Sequence, residues 1–193
     1  SDSYGYNGNP NLQPEEAETM DIGFEYTVGD SVLDFVYFTT DLKNLITYAN
    51  STYSNGSGTS NRHGAEMKFN SLISDNVYWR NSATFTVAED GNGTRVTRRP
   101  KWMGLTAIDY KKDSWTNTVE YLHTGSHLDI DSSTYATITK PAVGVVNLHT
   151  SKVVNDKSNV VLSVNNAFDK TYDRPDGYAQ HGRNILFTYK LQF

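Results

Sequence analysis

Cysteine is absent from all 193 residues, which removes disulfide scaffolds, thiolate metal sites and cysteine nucleophiles from consideration. Long apolar runs are absent too. The longest span only a few residues, far short of the roughly 20 that a membrane helix needs. Basic charge is scarce, with 17 Lys and Arg against 22 Asp and Glu, so nothing draws the chain electrostatically to nucleic acid. The opening Ser1-Asp2-Ser3-Tyr4-Gly5 lacks a basic end followed by an apolar run. The expectation is therefore a leader already removed or a chain that begins inside a longer protein. Aromatic residues, by contrast, are plentiful, with 13 Tyr, 8 Phe and 3 Trp in a chain of low mean hydropathy. Strands that are apolar on one face only give that combination, in a transmembrane barrel or in a soluble β-sandwich.

Period-two alternation dominates what is present. Met20, Ile22, Phe24, Tyr26 and Val28 alternate with Asp21, Gly23, Glu25 and Thr27, and Ile185, Phe187, Tyr189, Leu191 and Phe193 repeat the pattern, broken only by Leu186. Further strands are predicted near 32–46, 63–73, 77–87, 101–110, 115–123, 142–153 and 159–169, nine in all, with no competing helical stripe. The class is all-β, an antiparallel meander. Its connections alternate in length. Tight turns fall at Gly29-Asp30-Ser31, Ser74-Asp75-Asn76, Lys111-Lys112-Asp113-Ser114 and Asn155-Asp156-Lys157-Ser158, and long polar loops at 47–62, 88–100, 124–140 and 170–182. All long loops then lie at one end. That is the layout of an outer-membrane barrel with turns in the periplasm and loops outside the cell. Tyr26, Phe35, Tyr37, Tyr110, Trp115, Tyr121, Tyr189 and Phe193 fall near proposed strand ends, where interfacial girdles need half-polar rings.

No enzyme emerges. His63, His123, His127, His149 and His181 are scattered over strands and loops. His123 and His127 could share a strand face, but no carboxylate stands beside them at a metal-binding spacing. Nothing joins a nucleophile to a base. His149 and Asp109, inside strands, are expected to face a barrel lumen as hydrated groups.

Four stretches together resemble the TonB-dependent receptors. Gly8-Asn9-Pro10-Asn11-Leu12-Gln13-Pro14-Glu15-Glu16 is similar to the GNPxLxPE segment that precedes a barrel strand in that family. Thr40-Asp41-Leu42-Lys43-Asn44-Leu45-Ile46 is similar to the strand end before a long outer loop. Asn165-Asn166-Ala167-Phe168-Asp169-Lys170-Thr171-Tyr172 resembles the near-terminal NLFDKxY signature, and Gly177-Tyr178, Gly182-Arg183 and a last strand ending in Phe193 complete it. On residue chemistry alone, Gly182 suits the backbone freedom needed where a loop re-enters a strand.

The resemblance implies that residues 1–193 are the C-terminal portion of a roughly 22-stranded transmembrane β-barrel, with the plug domain and the TonB-contacting motif lying elsewhere. Tyr4-Gly5-Tyr6-Asn7-Gly8-Asn9-Pro10, Arg98-Arg99-Pro100-Lys101 and the tail from Asp129 to Phe193 resemble the cobalamin-receptor branch. By position, that branch's ligand-contacting arginine and tyrosine are Arg98 and Tyr135, although the loop Asp129-Ile130-Asp131-Ser132-Ser133-Thr134-Tyr135 differs in spacing and lacks one of the branch's tyrosines. The implied function is TonB-energised uptake of cobalamin across the outer membrane, with no cofactor and no metal in this region. A ferric siderophore receptor, or a stand-alone small barrel serving as adhesin or anchor, are the alternatives. Implied partners are the large nutrient, the rest of barrel and plug, TonB, lipopolysaccharide beside Arg95, Arg98 and Arg99, and colicins or phages.

Overall fold

The computed structural model describes residues 8–49 and 51–192, and every regular element among them is a strand. In chain order these are β1 (Glu16–Val28), β2 (Ser31–Lys43), β3 (Ile46–Ala49), β4 (Thr52–Asn55), β5 (Thr59–Ser74), β6 (Val77–Glu89), β7 (Trp102–Lys112), β8 (Trp115–Thr124), β9 (His127–Ile130), β10 (Thr137–Lys140), β11 (Val143–Asn155), β12 (Ser158–Asn165) and β13 (Asn184–Leu191). Nine of them form one antiparallel sheet in the order β1-β2-β5-β6-β7-β8-β11-β12-β13, while β3-β4 and β9-β10 are separate hairpins. The expected meander of nine wall strands is what the chain builds. Phe193 and Ser1–Asn7, with them the Tyr4-Gly5-Tyr6-Asn7 part of the cobalamin-branch-like lead-in, lie outside the described residues.

Strand ends differ from expectation where side chains recruit the backbone. The strand placed at 32–46 stops at Lys43, because Asn44 turns into the left-handed region at φ 58°. The strand placed at 159–169 stops at Asn165, because Asn166 does the same at φ 50°. Two of the four long loops are not structureless but fold into four-residue hairpins.

Short turns at Gly29-Asp30, Asp75-Asn76, Asp113-Ser114 and Asp156-Lys157 join paired strands at one rim. Gly29 and Asp113 take positive φ there, 55° and 52°, as tight hairpins demand. Loops 44–58, 90–101, 125–142 and 166–183 occupy the other rim.

Cross-strand partners share a face, so the register sorts the wall into two surfaces. Phe24 opposes Phe35, Phe35 opposes Met67, and Met67 opposes Ala83. Farther along, Ile108 opposes Val119, Val119 opposes Leu148, and Leu148 opposes Val164 and through it Ile185. That surface is predominantly apolar. Tyr26, Tyr110, Trp115 and Tyr189 lie on it near the turn rim, with the Lys152 ammonium 5.0 Å from the Trp115 ring centre. Phe35, Tyr37 and Tyr121 lie on it farther from that rim, so the girdle is narrower than the sequence suggested. The apolar face is not packed away. Phe24, Tyr26, Ile185 and Phe187 are 57%, 61%, 69% and 65% exposed, and Ala107 is the one buried hydrophobic residue among those described. Two stacked sheets would have sequestered those rings in a dry interior, so a soluble sandwich is excluded.

Polar groups on the apolar face satisfy one another. Trp79 Nε1 donates to Thr106 Oγ1 at 2.9 Å, Thr106 Oγ1 donates to Asn81 Oδ1 at 2.6 Å, and Asn81 Nδ2 donates to the Phe69 carbonyl at 3.4 Å. In hydrocarbon each would otherwise carry the cost of an unmade bond. On the opposite face Asp109 and His149 point as expected. Asp109, however, is not a freely hydrated carboxylate. It is buried, accepts two bonds from Arg80 at 2.6 and 3.2 Å, and accepts a third from Thr118 at 2.6 Å. His123 faces the apolar side on β8 and His127 lies buried on β9, so the two histidines do not share a strand.

Candidate functional site

The rim loops are fastened to one another in series. The GNPxLxPE-like segment is an anchor: Asn55 accepts from Gln13 N at 2.7 Å and donates to the carbonyls of Gln13 and Asn44, while Glu15 accepts from Ile46 N at 2.8 Å. Loop 44–58 then meets loop 90–101 where the main chains at Gly58 and Gly91 approach closely. A Cβ on Gly58 or on Gly91 would collide with the other loop's main chain.

Asp129 joins the next three loops. Its side chain is fully buried, accepts from Arg98 Nε at 2.7 Å, from Ile130 N at 2.7 Å and from Asp176 N at 2.9 Å. Arg98 N also donates to the Leu128 carbonyl at 2.6 Å. Burial pushes the Asp129 carboxyl up, but the Arg98 guanidinium and the two amides outweigh it and hold the group below the usual carboxylate range. Beside it Lys140 bridges Asp173 and Asp176, the latter at 2.8 Å, and Asp176 accepts from Ser132 N at 2.9 Å. The ammonium is held above its ordinary value by hydrogen bonds to Asp173 and Asp176. The Lys140 bond, reinforced by Ser132, lowers Asp176 to about 2.

A depressed carboxylate contributes above its unfolded pKa and loses that contribution as pH falls through the folded one. The contact between loops 125–142 and 166–183 is therefore expected to be unchanged from pH 8 to pH 5 and to loosen only as pH approaches about 2. Distances between spin labels on the two loops, measured across that range, check it; broadening already at pH 5 would contradict it.

The NLFDKxY-like stretch is a knot built on Asn166. Its Oδ1 accepts from Lys170 N at 2.8 Å, its Nδ2 donates to the carbonyls of Lys170 and His181, and its own N–H donates to Asn147 Oδ1 at 2.9 Å. Asn147 in turn donates to Glu120 Oε1 at 2.9 Å. Asp169 Oδ1 accepts from Arg183 N at 2.7 Å. At Gly182, where the last loop re-enters β13, a Cβ would lie 2.8 Å from Asp169 Oδ1, so the residue is small to admit that carboxylate.

Beneath loops 125–142 and 166–183, on the polar face of the wall, lies a cavity of about 910 Å³. Its wall comes from β6, β7, β8, β11 and β12, and its roof includes Lys140, Lys170, Tyr172, Asp173, Arg174 and His181. Three lining side chains are cationic and one is a carboxylate, in a chain of net charge -5. A space of this size suits a large ligand.

Arg98 and Tyr135 both sit at the loop rim and not among the residues lining this cavity. Arg98 has φ 60° and a half-exposed side chain whose Nε is occupied by Asp129. Tyr135 is 80% exposed at the tip between β9 and β10, with φ 59°. Sequence reading missed Lys170, Arg174 and His181, because the chain's last loop folds back over β6 to β8 and no local pattern announces that. The described residues contain no group of three or more His, Asp or Glu poised for a metal ion.

Residues 1–167 match the family model described as TonB dependent receptor-like, beta-barrel. The vitamin B12 transporter BtuB of Vibrio cholerae is 29% identical over 194 aligned residues, covering 96% of this chain and 31% of that protein. Among solved structures, a mutant of the ferric enterobactin receptor PfeA from Pseudomonas aeruginosa aligns over 96% of this chain and 32% of its own, at TM-score 0.82 and 17% identity. The ferric-catecholate import receptor Fiu from E. coli K12 aligns over 96% of this chain and 29% of its own, at TM-score 0.75 and 22% identity. The chain thus spans about a third of the length of these relatives, and the likeness to the two solved structures is one of fold. An all-strand wall with one apolar and one polar face, short turns at one rim and interlocked loops at the other, is matched over most of its length by that family model, so the chain belongs to the TonB-dependent receptor β-barrel family, outer-membrane receptors and not enzymes.

Proposed function

We propose that this chain is the C-terminal wall and part of the mouth of a cobalamin transporter energised through TonB, the plug and earlier strands lying elsewhere in a longer protein. The observation that carries the reading is the alignment to a vitamin B12 transporter across 96% of the chain. The cavity lining adds support. It holds one tyrosine, no Phe or Trp, and a single arginine, whereas a ferric siderophore receptor is expected to bring more aromatics and arginines to its mouth. In this reading Arg98 contacts the ligand with its Nη groups, which make no bond among the described residues, and amide carbonyls of a corrin suit such a fork. Tyr135, exposed at a hairpin tip, is the second contact. The open edges of β1 and β13 are completed by other strands of the same barrel, since unpaired backbone in lipid is costly. Lipopolysaccharide would surround the loop rim, and colicins or phages could exploit it.

Uptake of labelled cyanocobalamin by cells whose own receptor is deleted, complemented with the full-length protein, tests the reading. Uptake that requires TonB is expected; uptake of a ferric siderophore in its place would overturn it. The isolated chain should give no heat-modifiable folded band in detergent, whereas a stand-alone barrel would.

A further inference from the structure

We infer that Lys170 and Arg174 form an anion subsite in the mouth cavity, seating a single phosphodiester or carboxylate of the transported nutrient; the inference rests on the uptake reading above but concerns the charge of the ligand and not its name. Of the three cationic residues lining the cavity, Lys140 is paired with both Asp173 and Asp176. The other two are not. The Lys170 ammonium makes no hydrogen bond or ion pair among the described residues, and the Arg174 guanidinium reaches only the neutral Thr124 hydroxyl, at 3.2 Å.

Their positions are fixed from the backbone outward. Asn166 holds the N–H and the carbonyl of Lys170 together, at 2.8 and 2.9 Å. Arg174 is held on both sides as well, its N–H donating to the Tyr178 carbonyl at 3.0 Å and its carbonyl accepting from Gln180 Nε2 at 2.8 Å. Two cations carried on a braced backbone, over a wall that mixes Leu105, Leu122 and Val145 with Ser82, Thr84 and Asn147, and without an ion pair of their own among the described residues, suit a localised anion better than a neutral ligand: charge-assisted bonds form with little loop ordering left to do. Cobalamin carries one such group, the phosphodiester of its nucleotide loop, and a corrinoid lacking that loop does not.

The test is binding to the purified full-length receptor, using cyanocobalamin, dicyanocobinamide and a ferric tris-catecholate as probes. The double substitution Lys170→Met with Arg174→Gln is expected to weaken cyanocobalamin about tenfold to hundredfold, the loss of one or two charge-assisted bonds, and to leave dicyanocobinamide within about twofold. Lys170→Arg should retain most of the affinity, and all variants should keep the heat-modifiable folded band. Equal loss of both corrinoids, or loss of neither, overturns the subsite. If the unaltered receptor ignores both corrinoids but binds the ferric catecholate, the cobalamin reading fails by itself; the subsite then stands if the double variant loses that anion and falls if it does not.

Discussion

Replacing Asp129 by alanine is expected to release three outer loops at once while leaving the wall intact. The carboxylate is the common acceptor for Arg98, Ile130 and Asp176, and it is completely shielded from solvent. Its removal strands the Asp176 amide and frees the Arg98 guanidinium. Hydrogen bonds to a charged group are worth about 1.5–3 kcal/mol each, but half of the Arg98 side chain is already in solvent. The local penalty is therefore about 1–2 kcal/mol after discounting for screening. Protease cleavage within 90–101 and 166–183 should then accelerate about fivefold to thirtyfold, following the population of the opened loops. Asp129→Asn, which keeps an acceptor, should give a smaller effect. An unchanged cleavage rate in Asp129→Ala would show that the loops are held by something else.

The second large effect concerns the wall. Val119 sits between Ile108 and Leu148 on the apolar face, and Val119→Arg is expected to destabilise the folded receptor by about 2–4 kcal/mol, the cost of a cation toward the bilayer midplane. Ser151, on the opposite face of β11, is the control. Ser151→Arg should change stability by less than about 1 kcal/mol, because that face is wet. Equilibrium unfolding of the full-length protein in lipid vesicles reads both. Similar costs at the two positions would mean that the faces are not distinguished by lipid.

The wall was legible from sequence because a strand facing lipid on one side and water on the other must alternate, and β1 and β13 do so almost without exception. The middle strands were less clear for physical reasons now visible. Asn81 and Thr106 sit on the apolar face because they satisfy each other, and an irregularity between Leu72 and Ser74 shifts the register of β5 against β6. The loop rim was scarcely legible at all. Hairpins of four residues cannot be told from coil by alternation, and the Asp129 tie joins residues 31 and 47 positions apart. Motifs fared better than isolated residues: the Asn55 anchor and the Asn166 knot explain why the two family-like stretches read as they do. Arg98 stood out in sequence for its likeness to a ligand contact, yet its most definite role in the fold is as the partner of a buried aspartate. Lys170 lay inside a recognised motif without its function being visible, since only the folded last loop carries it over the cavity.

These strands face hydrocarbon with one side. Spin labels placed singly along β11 from residue 143 to residue 153 of the full-length receptor in vesicles test it most directly. Collision with oxygen should peak at 144, 146, 148, 150 and 152, and collision with a polar nickel reagent at the positions between. Accessibility without a two-residue period, or with the two reagents in phase, would contradict the account.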